Sequence, residues 1–154
     1  MYEVVSRQTT EQPTLVMITK LEVTEIPAFL QKAYAGVGAF LGRSSSQFAG
    51  PPFARFRFLD DKSCEVEAGF PVVTPIEGEG ELVASTLPGG VAAVVTYVGP
   101  YDGMKPAYEA IETWITERGA YADGPAWEVY FTDPAEQPDP RTWRTEVVQP
   151  YAVL

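Results

Sequence analysis

The segment Gly124-Pro125-Ala126-Trp127-Glu128-Val129-Tyr130-Phe131-Thr132-Asp133-Pro134 begins at a Gly-Pro turn, alternates aromatic and aliphatic residues, and closes on Asp-Pro. Turn residues at both ends and β-formers between them predict a strand over 126–132. The same opening, Gly50-Pro51, precedes a second run of this kind, and Gly50 and Gly124 stand 74 residues apart. That offset also pairs Tyr34 with Tyr108, Phe40 with Trp114, Leu41 with Ile115 and Phe56 with Tyr130. Beyond the longer 134–142 loop the offset becomes 79, pairing Glu67 with Glu146 and Pro71 with Pro150. An offset held over a helix and a strand points to internal duplication.

Working outward, two segments carry helical spacing. Ile26, Phe29, Leu30, Ala33, Val37, Phe40 and Leu41 predict a helix over 26–41. Pro27 suits its first turn, Thr24 or Glu25 caps it, and Gly42 ends it. Met104, Ala107, Tyr108, Ile111, Trp114 and Ile115 predict a second helix over 103–118, with Asp102 as N-cap and Gly119 at its end. Strand-like runs flank each helix at 3–8, 15–23, 54–59 and 64–72, then at 81–86, 91–98, 126–132 and 145–149. The expected fold is α+β: eight strands in duplicated β-β-α-β-β units. The sheet is mostly antiparallel, with two helices on one face and a central ligand cleft on the other. The whole of 1–154 reads as a single domain with an internal repeat of roughly 1–75 and 76–154.

Alternation along the opening segment places Trp127, Val129 and Phe131 on one side, suited to packing on a helix, and Ala126, Glu128 and Tyr130 on the other. A carboxylate amid aromatic and aliphatic neighbours is costly if buried unpaired. Two accounts stand: Glu128 lines a binding site, or its face is open to solvent. The matching strand offers Ala54, Phe56 and Phe58, interleaved with Arg55 and Arg57. On this assignment the arginines point toward the helix layer, where they snorkel to water or pair with Glu22 or Glu25. Glu67 faces the cleft if Val66 and Ala68 face the helix, as does Glu146, although a solvated strand face also accounts for both. Tyr97 and Tyr101 lie near the start of the second helix. With 8 Tyr, 8 Phe and 3 Trp, the chain has the material for an aromatic cage that holds flat or cationic molecules.

Composition removes several classes of chemistry. The chain has no histidine and one cysteine, Cys64, so Ser-His-Asp and Cys-His catalysis are excluded and a transition-metal site is not expected. No cofactor is expected, since neither a P-loop nor a GxGxxG run is present. The net charge of -10, without a Lys/Arg cluster, argues against direct nucleic-acid binding and favours cationic ligands. No apolar run resembles a signal peptide or a membrane span. A cytoplasmic, soluble protein is the expectation, with a small organic ligand as its partner.

The chain resembles the GyrI-like small-molecule-binding family, which is related to effector-binding domains of AraC-type and MerR-type multidrug regulators. The resemblance rests on Pro52-Phe53-Ala54-Arg55-Phe56, Val66-Glu67-Ala68-Gly69-Phe70-Pro71-Val72, Leu87-Pro88-Gly89-Gly90, Gly99-Pro100-Tyr101-Asp102, Ala107-Tyr108, Trp114, Gly124-Pro125 and Glu128-Val129-Tyr130-Phe131. It implies a duplicated fold with a cleft, Glu128 as the acid that attracts lipophilic cations, and aromatic walls at Phe56 and Tyr130. Phe56 stands where the family often has tyrosine, so a hydroxyl is missing there.

Three functions follow as expectations. The first is binding of an amphipathic, aromatic, cationic small molecule by Glu128, Tyr130, Phe56, Ala54, Phe58, Tyr97, Tyr101 and Glu67. The second, which the resemblance supplies, is a cofactor-free hydrolase that opens strained cyclopropane-containing natural products, with Glu128 orienting water beside Tyr130. The third is contact with a protein partner, as in gyrase inhibition.

Overall fold

The computed structural model describes residues 2–43 and 48–154. Its strands are β1 (Val5–Thr9), β2 (Gln12–Glu22), β3 (Phe53–Phe58), β4 (Ser63–Pro71), β5 (Val83–Leu87), β6 (Gly90–Val98), β7 (Ala120–Ala122), β8 (Trp127–Tyr130) and β9 (Arg144–Val153). The helices are α1 (Ile26–Arg43), between β2 and β3, and α2 (Lys105–Glu117), between β6 and β7. The fold is α+β with antiparallel strand pairing. β7 is the strand that sequence patterning did not reveal. The chain forms two compact units, Thr10–Gly89 and the residues up to Thr9 joined by Gly90–Leu154. Thus β1 packs with the C-terminal strands, paired to β6 from Val5↔Val94 to Thr9↔Gly90.

In the Thr10–Gly89 unit the strand order is β5-β2-β4-β3. α1 starts at Ile26 after a 3-10 turn at Val23–Glu25, so Pro27 falls in its first turn as expected. The Glu25 carboxylate accepts the Glu22 backbone N–H at 2.9 Å. Phe29, Ala33, Val37 and Leu41 recur every four residues and are all buried. Each of the larger three contributes roughly 1.5–3 kcal/mol of burial. The helix runs through Gly42 to Arg43 rather than stopping at the glycine.

Register identifies which face α1 covers. A Cβ at Gly36 of the helix would lie 3.7 Å from Met17 Sδ, and Tyr34 meets Phe70 edge-on with ring centroids 5.9 Å apart. Met17 pairs with Ala68, which pairs with Ala54. Directly paired residues share a face, so Ala54, Phe56 and Phe58 lie on the helix side and Arg55 and Arg57 lie on the other. This corrects the expectation that the arginines point toward the helix. Nor does either pair with Glu22 or Glu25. Arg57 meets Glu65, its direct cross-strand partner, at 3.6 Å, and Arg55 donates to Thr86 O at 3.4 Å.

In the other unit the order is β1-β6-β9-β8, with β7 paired to the end of β9. α2 packs on β6 and β9. Ala107, Ile111 and Ile115 join Met104, Ala93, Val95, Tyr97 and Val147 in one core. Asp102 does not cap this helix as expected: it lies in a 3-10 turn, Tyr101–Gly103, and Met104 takes the N-cap position without a side-chain bond. The C-terminal end agrees with the sequence. Gly119 adopts φ +65 and its N–H bonds Thr116 O at 3.0 Å, which is the left-handed closure that glycine supplies at low cost.

Candidate functional site

The site is built on the α2 side of β8. Glu128 pairs with Val147, which pairs with Val95, and both valines belong to the core under α2. Glu128 and Tyr130 therefore face the helix, while Trp127 and Val129 face away. The sequence reading had these faces reversed. It assumed that the apolar stripe must meet the helix. The actual arrangement is tolerable because α2 itself supplies a polar partner for the acid. Trp127 is buried on the opposite face, where it pairs with Val148.

Both carboxylate oxygens of Glu128 accept hydrogen bonds from tyrosines. Tyr108, one position past Ala107 on α2, donates to Oε2, and Tyr130, two residues along β8, donates to Oε1 at 2.8 Å. Burial pushes the Glu128 carboxyl above the usual carboxylate range, although the two tyrosine bonds act in the opposite direction. Burial, together with the nearby Glu128 charge, pushes the Tyr108 hydroxyl well above its ordinary value. The result is a carboxylate held in place by two donors in a poorly solvated position.

Tyr101 covers this cluster. Its ring meets that of Tyr130 edge-on at 5.5 Å and that of Trp143 at 4.8 Å. The Tyr101 hydroxyl is pushed up, first by burial and then by Glu128 and Asp133. The loop carrying Tyr101 is fixed from below. Tyr97 donates to Pro100 O at 2.6 Å, and a Cβ at Gly103 would collide with the Tyr97 hydroxyl. Glycine at 103 thus lets the loop close over Tyr97 and bring Tyr101 against Tyr130. Trp143 is held by its indole N–H, which donates to Gln137 O at 2.6 Å.

Of the expected site residues, Glu128, Tyr130 and Tyr101 come together here. Tyr97 is buried beneath them with its hydroxyl spent on the loop. The remaining four belong to the Thr10–Gly89 unit. Ala54 is fully buried, and Phe58, which is 65% exposed, stacks on Phe56 at 6.3 Å. Glu67 lies on the face away from α1 and accepts from Ser85 Oγ at 2.9 Å. Two members of the cluster were not anticipated as site residues. Tyr108 entered as part of the helical stripe, of the repeat and of the family resemblance but not as a site residue, although its hydroxyl at the stripe's edge was a usable signal. Trp143 lies beyond a Pro-rich loop whose course the sequence does not reveal. Among the described residues, no group of three His, Cys, Asp or Glu side chains is placed to hold a metal. No described helix is long and apolar enough to cross a membrane.

Residues 51–152, which carry the Glu128 cluster, match the model of the GyrI-like small molecule binding domain. The chain belongs to that family. No curated protein matches the sequence. Among solved structures, the EcmrR C-terminal domain superposes with a TM-score of 0.88 at 17% identity, over 100% of this GyrI-like chain and 99% of that one. The chain spans only 58% of the EcmrR chain seen in a complex with DNA. SAV2435 bound to tetraphenylphosphonium gives a TM-score of 0.64 at 18% identity, covering 97% of this chain and 94% of that one. A hydrolase from Listeria innocua gives 0.67 at 12% identity, covering 97% and 92%. At these identities the likeness is one of fold.

Proposed function

We propose that this GyrI-like domain binds an amphipathic, aromatic, cationic small molecule, with Glu128 supplying the countercharge and Tyr101, Tyr108, Tyr130 and Trp143 the aromatic walls. The observation that carries this reading is the Glu128 carboxylate itself, poorly solvated and, among the described residues, satisfied by two tyrosine hydroxyls. An incoming cation replaces donors that carry no full charge, and aromatic faces add cation–π attraction. The net charge of -10 reinforces the selection by sign. The tetraphenylphosphonium held by SAV2435, which shares the fold, is a ligand of this chemistry. Tyr97, whose hydroxyl donates to Pro100 O, is proposed as support for the Tyr101 loop. The test is a titration followed by tryptophan fluorescence, since the Trp143 ring lies against Tyr101 with centroids 4.8 Å apart. Tetraphenylphosphonium binds and quenches, while tetraphenylborate, of like shape and opposite charge, does not. Equal binding of both ions would refute an electrostatic site.

A second reading, cofactor-free hydrolysis of a strained ring, is favoured by the Glu128 carboxyl, which burial raises above the usual carboxylate range and which two tyrosine hydroxyls orient, as suits a proton-transfer group. Formation of a ring-opened product from an activated cyclopropane, lost in Glu128→Gln, distinguishes turnover from binding alone. A role in contacting a protein partner has no particular contact in its favour.

A further inference from the structure

Thr145 sits on β9 directly across from Tyr130 on β8 and from Tyr97 on β6. It therefore shares the α2 side of the sheet with Glu128, one step away on the cross-strand diagonal. It is 0% exposed, and its Oγ1 has no hydrogen-bond partner among the described residues. Buried hydroxyls are nearly always paired, so an orphan calls for an explanation. Valine has the same shape and would fill the position without leaving a polar atom unsatisfied. Valine in fact occupies the next helix-facing position on β9, at Val147.

Tyr130 connects this hydroxyl to the acid. Tyr130 is the direct cross-strand partner of Thr145, and its hydroxyl donates to Glu128 Oε1 at 2.8 Å. A ligand that takes the place of the Tyr130 hydroxyl on Glu128 displaces the side chain that is paired directly across from Thr145. The acid and the orphan hydroxyl then lie side by side on one face, an anion next to a neutral acceptor. A protonated amine presents that complement, with one N–H for the carboxylate and another for the hydroxyl. A quaternary ammonium or a phosphonium has no N–H and satisfies only the charge.

We infer that Thr145 is a specificity-determining residue of the Glu128 site, accepting an N–H from the ligand and favouring protonated amines over quaternary cations of the same shape. This rests on the reading of Glu128 as the cation site. The experiment compares 1-naphthylmethylammonium with its N,N,N-trimethyl analogue by titration calorimetry, on wild type, Thr145→Val, Thr145→Ser and Glu128→Gln. The expected result is a loss of roughly five- to tenfold in affinity for the primary ammonium in Thr145→Val, with the trimethyl compound unchanged and Thr145→Ser retaining the preference. Thr145→Val is also expected to melt no lower than wild type, which separates the effect from misfolding. If Glu128→Gln weakens both probes but Thr145→Val shifts neither, or shifts both equally, the role of Thr145 is overturned and the cation site stands. If wild type binds neither probe, or Glu128→Gln leaves both affinities unchanged, the cation site itself is wrong and the inference falls with it.

Discussion

Tyr108→Phe removes one hydroxyl and leaves the ring, so its effect reports on a single bond, Tyr108 to Glu128 Oε2. A hydrogen bond to a charged group contributes about 1.5–3 kcal/mol, and one to a neutral group about 0.5–1.5 kcal/mol. The magnitude therefore depends on the protonation state of Glu128. The Glu128 carboxyl is raised by burial, so the folded chain binds its proton more tightly than the unfolded chain. Stability from this group is greatest below the ordinary carboxylate value and is lost as pH rises through the folded value. Tyr108 normally opposes that rise. Without it the penalty above the folded value grows, and Tyr108→Phe destabilises more at alkaline than at acidic pH. The expected cost is about 1.5–3 kcal/mol well above the transition and about 1 kcal/mol below it. For a chain of this size the alkaline cost corresponds to a drop of roughly 3–12 °C in Tm. Thermal melts of wild type, Tyr108→Phe, Glu128→Gln and the double variant across pH provide both the profile and the coupling energy. A Tyr108→Phe cost that is flat with pH and unchanged in the Glu128→Gln background would refute the reasoning.

Gly69→Ala is expected to destabilise by more than about 4 kcal/mol, because its Cβ would strike the Leu15 carbonyl oxygen and lie 2.8 Å from Val16 Cα. A urea melt checks this, and near-wild-type stability would contradict the β2–β4 packing. Arg7→Met removes the two-bonded partner of Glu146, held at 2.6 and 3.0 Å, and leaves a carboxylate that is only 10% exposed. The expected loss is about 2 kcal/mol, discounted from the 3–5 kcal/mol of a fully buried pair because the guanidinium is half in solvent. The same melt reads it, and replacing both residues with apolar ones is expected to recover most of the loss.

Much of the fold was legible because its punctuation is local. Gly-Pro turns, Pro27 and Gly119 mark boundaries by backbone geometry alone, and the helices fall within two residues of their expected limits. β7 was not legible: Ala120–Ala122 is three residues long and becomes a strand only by pairing with β9. Which residues share a face on β8 followed from alternation. Which face the helix covers did not, since that is decided by the pairing of Glu128 with Val147. Glu128 stood out as a carboxylate in an apolar strand, but its partner Tyr108 lies 20 residues away on a helix whose apolar stripe concealed it. The resemblance drawn from short motifs located the family, whereas the hydroxyls around the acid required coordinates. The spatial units also differ from contiguous halves, because β1 crosses to pair with β6, and no local signal encodes that choice.

The central claim is that the Glu128 charge binds a cation. Titration calorimetry of tetraphenylphosphonium into wild type and Glu128→Gln at pH 8 tests it most directly, since the substitution keeps the side chain's shape and removes only the charge. The expected result is a roughly 10- to 100-fold weaker Kd in the variant. In wild type, affinity is expected to fall as pH drops through the raised Glu128 value, and in the variant it is expected to stay flat. Wild-type affinity in Glu128→Gln, with an unchanged pH profile, would contradict the account.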